Sequence, residues 1–428
     1  MTRFQLILTG VLVMAALIAA VLFSVQKSSN SNSAVQVTMW GTIDNETFTN
    51  FLSKAALANR DTMNISYVAK SPDTFEADLV AALARGKGPD MILLPQNLIV
   101  SQQDKFYTIP FTSYSERAFK DSFIEEGELY LVPDGIIGLP FSIDPIVMYW
   151  NRNIFSNANV PMPPSSWTDF YSLAPKIIQK DASGNISQAL IAFGATSNVT
   201  HAKDMISLLS LQAGTAIVSR DQYASLRSVF SDQGNGLVPG EQAVNFFTEF
   251  SNPVKPAYSW NRSLPSDRAM FLSGRLAVYF GFASELADIR AANPNLNFDV
   301  APVPQIPGRK VTFGNMQAVT LLKSSPNLLA AYTAAVTLTG DSLQTEWVGA
   351  SGYPPVRRSL IAVPQGNAYK SVFYDSALIS HAWLDPSESG TSAAFTKLIE
   401  SVTSGRSRTS NAVRDASTEI DNLLRTNI

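Results

Sequence analysis

The sequence predicts an α/β protein built as two lobes, and three observations carry that prediction. Strand-like and helix-like segments alternate from residue 35 onward, the pattern of layered α/β sheets. A Pro-bounded apolar run, GLPFSIDPIVMYWN at residues 138–151, interrupts the alternation. The chain is 428 residues long, beyond the roughly 100 to 200 of one ordinary domain. Two cores with an interface between them are therefore expected, and interfaces host ligands.

Residues 35–40 alternate apolar and polar and form the first strand, with Gly41 as its exit. A helical pattern follows through Phe48, Phe51, Leu52 and Ala55, then a strand near 63–68. Ser71-Pro72-Asp73 starts the next helix, Phe75, Leu79 and Leu83 recur at four-residue spacing, and Gly86 stops it. Gly88-Pro89-Asp90 turns into 91–94, a continuous apolar run of the kind buried in parallel sheets. In the Pro-bounded run, Pro140 and Pro145 each lock φ and lack an amide donor, so neither belongs inside a regular central strand. Asp144 is a lone carboxylate among Phe141, Ile143, Ile146 and Val147, costly to bury without solvent, a partner or a ligand. The run reads as a crossover between two sheets that carries one polar group into a cleft. Beyond it come an amphipathic helix at 167–180 and a loop rich in Pro and Trp at 253–265. A helix at 267–273 closes on Gly274, strands occupy 276–280 and 298–303, and a helix at 327–339 ends at Gly340. Two tail helices flank Gly405, the last with Val413, Ala416, Ile420 and Leu424 on one face.

Composition removes several function classes. The formal net charge is −3 and only 16% of residues are charged; without a long basic run, nucleic acid is not an expected partner. The chain has no cysteine, which excludes disulfides, thiol catalysis, cysteine-ligated metals and acylation of a lipobox cysteine. His201 and His381 are the two histidines. No His-Glu-x-x-His, phosphate-binding Gly-Lys loop or nucleophile elbow is present, so no cofactor, metal or catalytic residue is expected. Residues 4–25 are uncharged and nearly all apolar, flanked by Arg3 and Lys27. At about 1.5 Å per residue they match the ~30 Å hydrocarbon core of a bilayer, longer than the ~7 to 15 apolar residues of a cleaved signal. A single-pass membrane anchor with the globular part extracytoplasmic is expected, with 26–33 as a polar linker.

Seven segments, in this order, resemble the extracellular solute-binding proteins of ABC transporters, specifically the maltose-binding-type group called family 1. They are ALARGKGPDMILL (81–94), GLPFSIDPIVMYWNRNIF (138–155), MPPSSWTDF (162–170), SDRAMFLSGRLAVYFG (266–281), FDVAPVPQIPG (298–308), FGNMQAVTLLKSSPNLLAAY (313–332) and SGYPPVRRSL (351–360). The resemblance implies a type II periplasmic-binding-protein-like fold whose discontinuous lobes are joined by hinge strands, with a solute closed between them. It places lobe 1 at 34–143 plus 301–342 and lobe 2 at 144–300 plus 343–428. The implied crossings are at 141–145, at 297–304 and shortly after Thr339. The implied partners are a small solute, a sugar or oligosaccharide, and the ABC permease subunits, with the receptor a monomer.

Seven residues are candidates for solute contact. Trp40 and Asp44 flank a loop that faces the cleft in the family, and Asp44 offers an acceptor to sugar hydroxyls. Asp144 matches a family position whose carboxylate contacts solute at the hinge. Trp260, Tyr353 and Trp383 fall on predicted loops, where aromatic rings stack on pyranose faces, whereas Trp167 reads as core. Phe282 stands in for a stacking Trp that many relatives carry at Ser284. That change, and the aromatic-free exit Leu94-Pro95-Gln96-Asn97, weaken the inference to maltodextrin in particular. The rivals are a same-fold receptor for polyamine, phosphate ester or iron, and a surface glycosidase with paired carboxylates roughly 5 to 10 Å apart, for which Asp44 and Asp144 are the available pair. A scaffold that has lost transport is the third. The anchor is open to direct test: intact-mass analysis of protein from native membranes should find the chain beginning at or near Met1, and a mature start between Gln26 and Val35 overturns it.

Overall fold

The computed structural model describes residues 35–58, 64–234 and 236–426; the anchor expected at 4–25 lies outside them. Among the described residues no helix is long and apolar enough to cross a membrane. The chain follows the predicted alternation: strand Val37–Gly41, helix Asn45–Ala58, strand Ile65–Ala69, helix Phe75–Ala84, strand Met91–Pro95. The first strand pairs in parallel with the second and third, as expected for strands joined by crossover helices.

One long strand, Leu139–Asn151, then ties the molecule together. Its first half pairs antiparallel with Thr312–Leu321, from Leu139↔Val319 to Pro145↔Gly314. Its second half pairs with Leu276–Phe282, from Ile146↔Phe282 to Trp150↔Val278, and with Phe298–Ala301 on its other edge. Contrary to the expectation from their chemistry, both prolines sit inside this strand. The reason is local: the register slips between Gln317 and Ala318 opposite Pro140, and Pro145 is the last residue before the strand changes partners. A missing donor costs least at a bulge or where a ladder ends.

Two hydrophobic cores flank that change of partner. One gathers Val37, Met39, Phe48, Phe51, the 91–94 strand, Phe141 and Ile143, together with Met316, Val319 and Trp347. The other gathers Ile146–Trp150 by residue number, Trp167, Phe193, Trp260, Phe280, Phe313 and Trp383, and the tail helices. The second and third crossings therefore differ from the expected positions. Phe298, Val300, Val303 and Phe313 all belong to the second core and Met316 to the first, so the second crossing is at 314–315, not 297–304. This follows from pairing: Gly314 and Asn315 lie opposite Pro145 and Asp144, so both strands change lobes at one level. The helix Asp341–Ser351 also stays with the first core, because Trp347 interlocks with Phe48, Phe51 and Phe141, ring centroids 5.0 to 6.0 Å apart. The third crossing falls between Ile361, in the first core, and the helix Ala368–Leu378, whose Tyr369, Phe373 and Tyr374 pack with the second core while Ala377 touches the first.

At the paired crossing, backbone and side chains approach closely. A Cβ at Gly314 would collide with Ser380 Oγ and Glu126 Oε2 and lie 2.7 Å from Ile143 Cδ1. The Ser380 hydroxyl donates to Glu126, which is 2% exposed, and burial pushes that carboxyl up to about 8. Gly314→Ala should overpack this junction at a cost of about 1 to 3 kcal/mol. Thermal denaturation should show a lower melting temperature, and an unchanged one refutes the close approach.

Candidate functional site

Both crossing strands form the floor of a cleft, and the loops at strand ends form its walls. On the first lobe, Gly41 ends its strand where a Cβ would meet Tyr67 Oη at 2.8 Å and Leu93 at 3.0 Å, so a glycine lets these side chains pack closely against the loop. The loop is fixed by Tyr67 Oη donating to the Ile43 carbonyl at 2.9 Å. Asp44 accepts the Thr47 amide at 2.7 Å, a helix N-cap; that backbone bond is the main reason its carboxyl lies below the usual carboxylate range. On the second lobe, the strand Leu276–Phe282 runs into Ala283-Ser284. The Ala283 amide donates to the Pro145 carbonyl at 3.0 Å and the Ser284 amide to Asp144 Oδ1 at 3.0 Å.

Thr42, Ile43, Asp44, Gln317, Tyr353, Ser284, Arg290, Tyr369 and Lys370 surround a cavity of about 530 Å³ between these walls. Thr42 and Gln317 also line a neighbouring chamber of about 740 Å³. That chamber shares Asn97, Asn315 and Glu388 with a third of about 200 Å³, where Phe282, Trp383 and Lys203 lie. The groove thus runs across the hinge floor. Asn97 Nδ2 of the first lobe reaches Glu388 Oε2 of the second at 3.4 Å.

The candidate residues divide. Asp44 and Tyr353 line the 530 Å³ cavity together. Tyr353 packs on Trp347, rings 25° apart in plane with centroids at 6.3 Å, and burial, with Asp144 nearby, raises its phenol to about 12. Asp144 keeps partial exposure at the floor; burial raises its carboxyl to about 7, against the Ser284 bonds that favour its ionised form. Phe282 is half-buried, edge-on to His201 at 5.0 Å, and lines the small chamber with Trp383. Trp383 itself is 4% exposed, and its indole donates to Ser207 Oγ at 3.0 Å.

One of the seven is corrected. Trp260 has no exposure: it is packed in the second core and donates its indole N–H to Asn198 Oδ1 at 3.1 Å. It cannot stack on a solute. The predicted loop at 253–265 folds inward because Ser259 Oγ takes the Leu190 and Ile191 amides and draws the loop against the sheet. Trp40 is half-buried against the first core, with Lys70 Nζ 4.1 Å from its ring centroid, so a cation already covers the ring. Trp167 is core, as expected, donating to Gln212 Oε1 at 2.6 Å.

The sequence reading missed Arg290, Tyr369 and Lys370, which bring two cations and a ring to the 530 Å³ cavity. No motif marks them, since residues 80 apart meet only through the third crossing. It also missed the role of His201. Its Nε2 contacts Glu285 Oε1 at 2.7 Å and its Nδ1 contacts Asp204 Oδ2 at 3.3 Å. Glu285 also accepts from Tyr279 Oη at 2.6 Å and from the Phe282 amide at 2.8 Å. Burial opposes the imidazolium, but the two carboxylates outweigh it and raise His201 to about 10. Among the described residues no three His, Asp or Glu side chains converge to hold a metal ion.

Residues 54–373 match the family described as bacterial extracellular solute-binding protein. A curated relative from Brucella abortus (strain 2308), named only as a binding protein, is 21% identical over 384 residues, covering 87% of this chain and 89% of its own. Among solved structures, a cyclo/maltodextrin-binding protein complexed with maltotetraose superposes with a TM-score of 0.74 at 16% identity, covering 93% of this chain and 99% of that one. The sugar-binding protein of Xanthomonas citri gives 0.74 at 16% identity, with 92% and 98% covered. At these identities the superpositions show the fold.

The His201 network predicts a pH signature. Its folded value is raised above the ordinary 6.5, so its stabilisation is full below about 6.5 and lost as pH rises toward about 10. The melting-temperature gap between wild type and His201→Gln should be wide at pH 6 and narrow by pH 10. A constant gap refutes the charged pairing.

Proposed function

We propose that this chain, which belongs to the bacterial extracellular solute-binding proteins, is the receptor of an ABC importer and captures a carbohydrate between its lobes. The observation that carries the reading is the 530 Å³ cavity, walled by Thr42, Asp44 and Tyr353 from one lobe and by Ser284, Arg290 and Tyr369 from the other, over the paired hinge strands. A solute that touches both walls binds the closed form better than the open one and shifts the population toward it. The size suits a small saccharide, within the ~300 to 1,000 Å³ of ordinary ligand pockets. Threonine, serine and carboxylate groups face hydroxyls, and the Tyr353 ring offers a sugar face its partner. Two structural relatives are named for sugar or maltodextrin binding, which favours the same solute class here.

The closed receptor would be what the permease subunits recognise, as a monomer held at the extracytoplasmic membrane face by residues 4–25. A polyamine fits this cavity poorly, since Arg290 and Lys370 repel a cation. The glycosidase reading has one specific observation in its favour, a cavity carboxyl and a hinge-strand carboxyl whose proton affinities are pushed apart, Asp44 down and Asp144 up; Asp144, however, lines none of the three cavities, and the family is one of binding proteins.

Calorimetry and small-angle scattering on a panel of mono- and oligosaccharides test both readings. A bound sugar should be returned unchanged and should shrink the radius of gyration. Tyr353→Ala should weaken it about 5- to 150-fold, corresponding to ~1 to 3 kcal/mol for a stacking ring, while Trp260→Phe should lower the melting temperature and leave affinity intact. No binding across the panel overturns the carbohydrate reading, and hydrolysis abolished by Asp144→Asn supports the glycosidase instead.

A further inference from the structure

The cations around the cleft fall into two kinds. Lys70 pairs with Asp78 at 3.3 Å, and Lys203 pairs with Asp385 at 2.6 Å and Glu388 at 3.0 Å. Arg290 and Lys370, both exposed on the second-lobe wall of the 530 Å³ cavity, form no ion pair among the described residues. Arg290 is nonetheless positioned: its guanidinium carbon lies 4.6 Å from the centroid of the Tyr369 ring. A guanidinium held over a ring keeps its N–H donors at its edges, available for a planar acceptor.

A second feature of the same wall adds positive potential. Lys370 lies in the first turn of the helix Ala368–Leu378, which has no acidic residue there. The cap residue Asn367 also lines the cavity and accepts the Tyr369 and Lys370 amides, so the helix contributes its dipole rather than free donors. Across the cavity, Asp44 stays ionised and is committed to its own helix N-terminus. The cavity is therefore polarised, cationic on the second lobe and anionic on the first.

Closure makes this arrangement selective. Bringing the lobes together around a neutral sugar would strip water from two cations and leave them facing the single carboxylate of Asp44, which its own helix N-terminus already engages, and that is costly. A carboxylate on the solute removes that cost and forms charge-assisted hydrogen bonds to Arg290, while its hydroxyls face Thr42, Asp44 and Ser284. We propose that the solute is an acidic sugar, a hexuronate or short uronate oligomer, whose carboxylate is held between Arg290 and Lys370. The inference rests on the carbohydrate reading above and narrows it to a charged class.

The test is calorimetry on the full chain with glucuronate, galacturonate and their di- and trisaccharides, with the matching neutral sugars, and with glucose 6-phosphate. Each is run at low and high salt, on wild type and on an Arg290→Gln/Lys370→Gln double variant. Both positions are exposed, and an unchanged melting temperature of the variant confirms that it folds. At least one uronate should bind 10-fold or more tighter than its neutral counterpart, with affinity falling at high salt and the preference erased in the double variant. Tighter binding of glucose 6-phosphate, equally lost in the variant, keeps the anion site but overturns its assignment to a carboxylate. Neutral sugars binding as well as uronates, or a preference that survives the double variant, overturns the proposal and leaves the carbohydrate reading standing. Binding by neither class overturns both.

Discussion

Two strands cross from lobe to lobe side by side, and the missing side chain at Gly314 is what lets them cross at one level. Pro145 and Gly314 are register partners, and the space a Cβ would need is filled by Ser380 and Glu126, which hydrogen-bond to each other there. Because both crossings coincide, the two cores part at one level along these strands. A cleft opens beside them, floored by Asn315 and Gln317 of one crossing strand. A hinge of this kind bends at few residues while the two cores stay rigid, the condition for closing on a ligand as bodies.

The polar groups next to the hinge are arranged to hold loops rather than to carry out chemistry. Asp144, the last residue before Pro145, takes the Ser284 amide, and Glu285 takes the Phe282 amide and the Tyr279 hydroxyl. His201 neutralises Glu285 and, by its charge, also eases the ionisation of Asp144. These bonds converge on residues 282–285, the turn that forms the second-lobe wall of the cavity. An unpaired carboxylate in that position would be strongly disfavoured by burial; the imidazolium makes it tolerable, and the wall acquires a fixed shape before any solute arrives. Such prior ordering leaves less to be lost on binding.

Much of the architecture was legible because it depends on local pattern. The alternation of periods between 35 and 94, the Pro-bounded run and the glycine stops each report on nearby residues, and each corresponds to an observed element. The two later crossings were misplaced because they are set by tertiary contact. Trp347 looks like any helical tryptophan until Phe48, Phe51 and Phe141 surround it, and no periodicity announces that. The same limit applied to the site. Asp44 was singled out on the loop after the first strand and Tyr353 as an aromatic on a predicted loop, and both line the 530 Å³ cavity. Trp260 was misjudged because a Pro-rich loop gives no sign that Ser259 will pull it into the core.

Burial of Trp260 and occupation of the Trp40 face change what can discriminate among solutes. Trp40, Trp260, Phe282, Tyr353 and Trp383 suggested a cleft dominated by stacking, yet the rings that line the 530 Å³ cavity with partial exposure are Tyr353 and Tyr369, and Tyr369 already carries a guanidinium. Stacking on one or two phenols accepts many sugars, because most pyranoses present a similar apolar face. Selectivity must then come from polar groups whose desolvation a wrong solute leaves uncompensated. Neutral side chains such as Thr42 and Ser284 tolerate a poor partner at small cost, whereas Arg290 and Lys370 do not. The two cations that form no ion pair among the described residues are thus the groups with the strongest claim on what the cleft accepts.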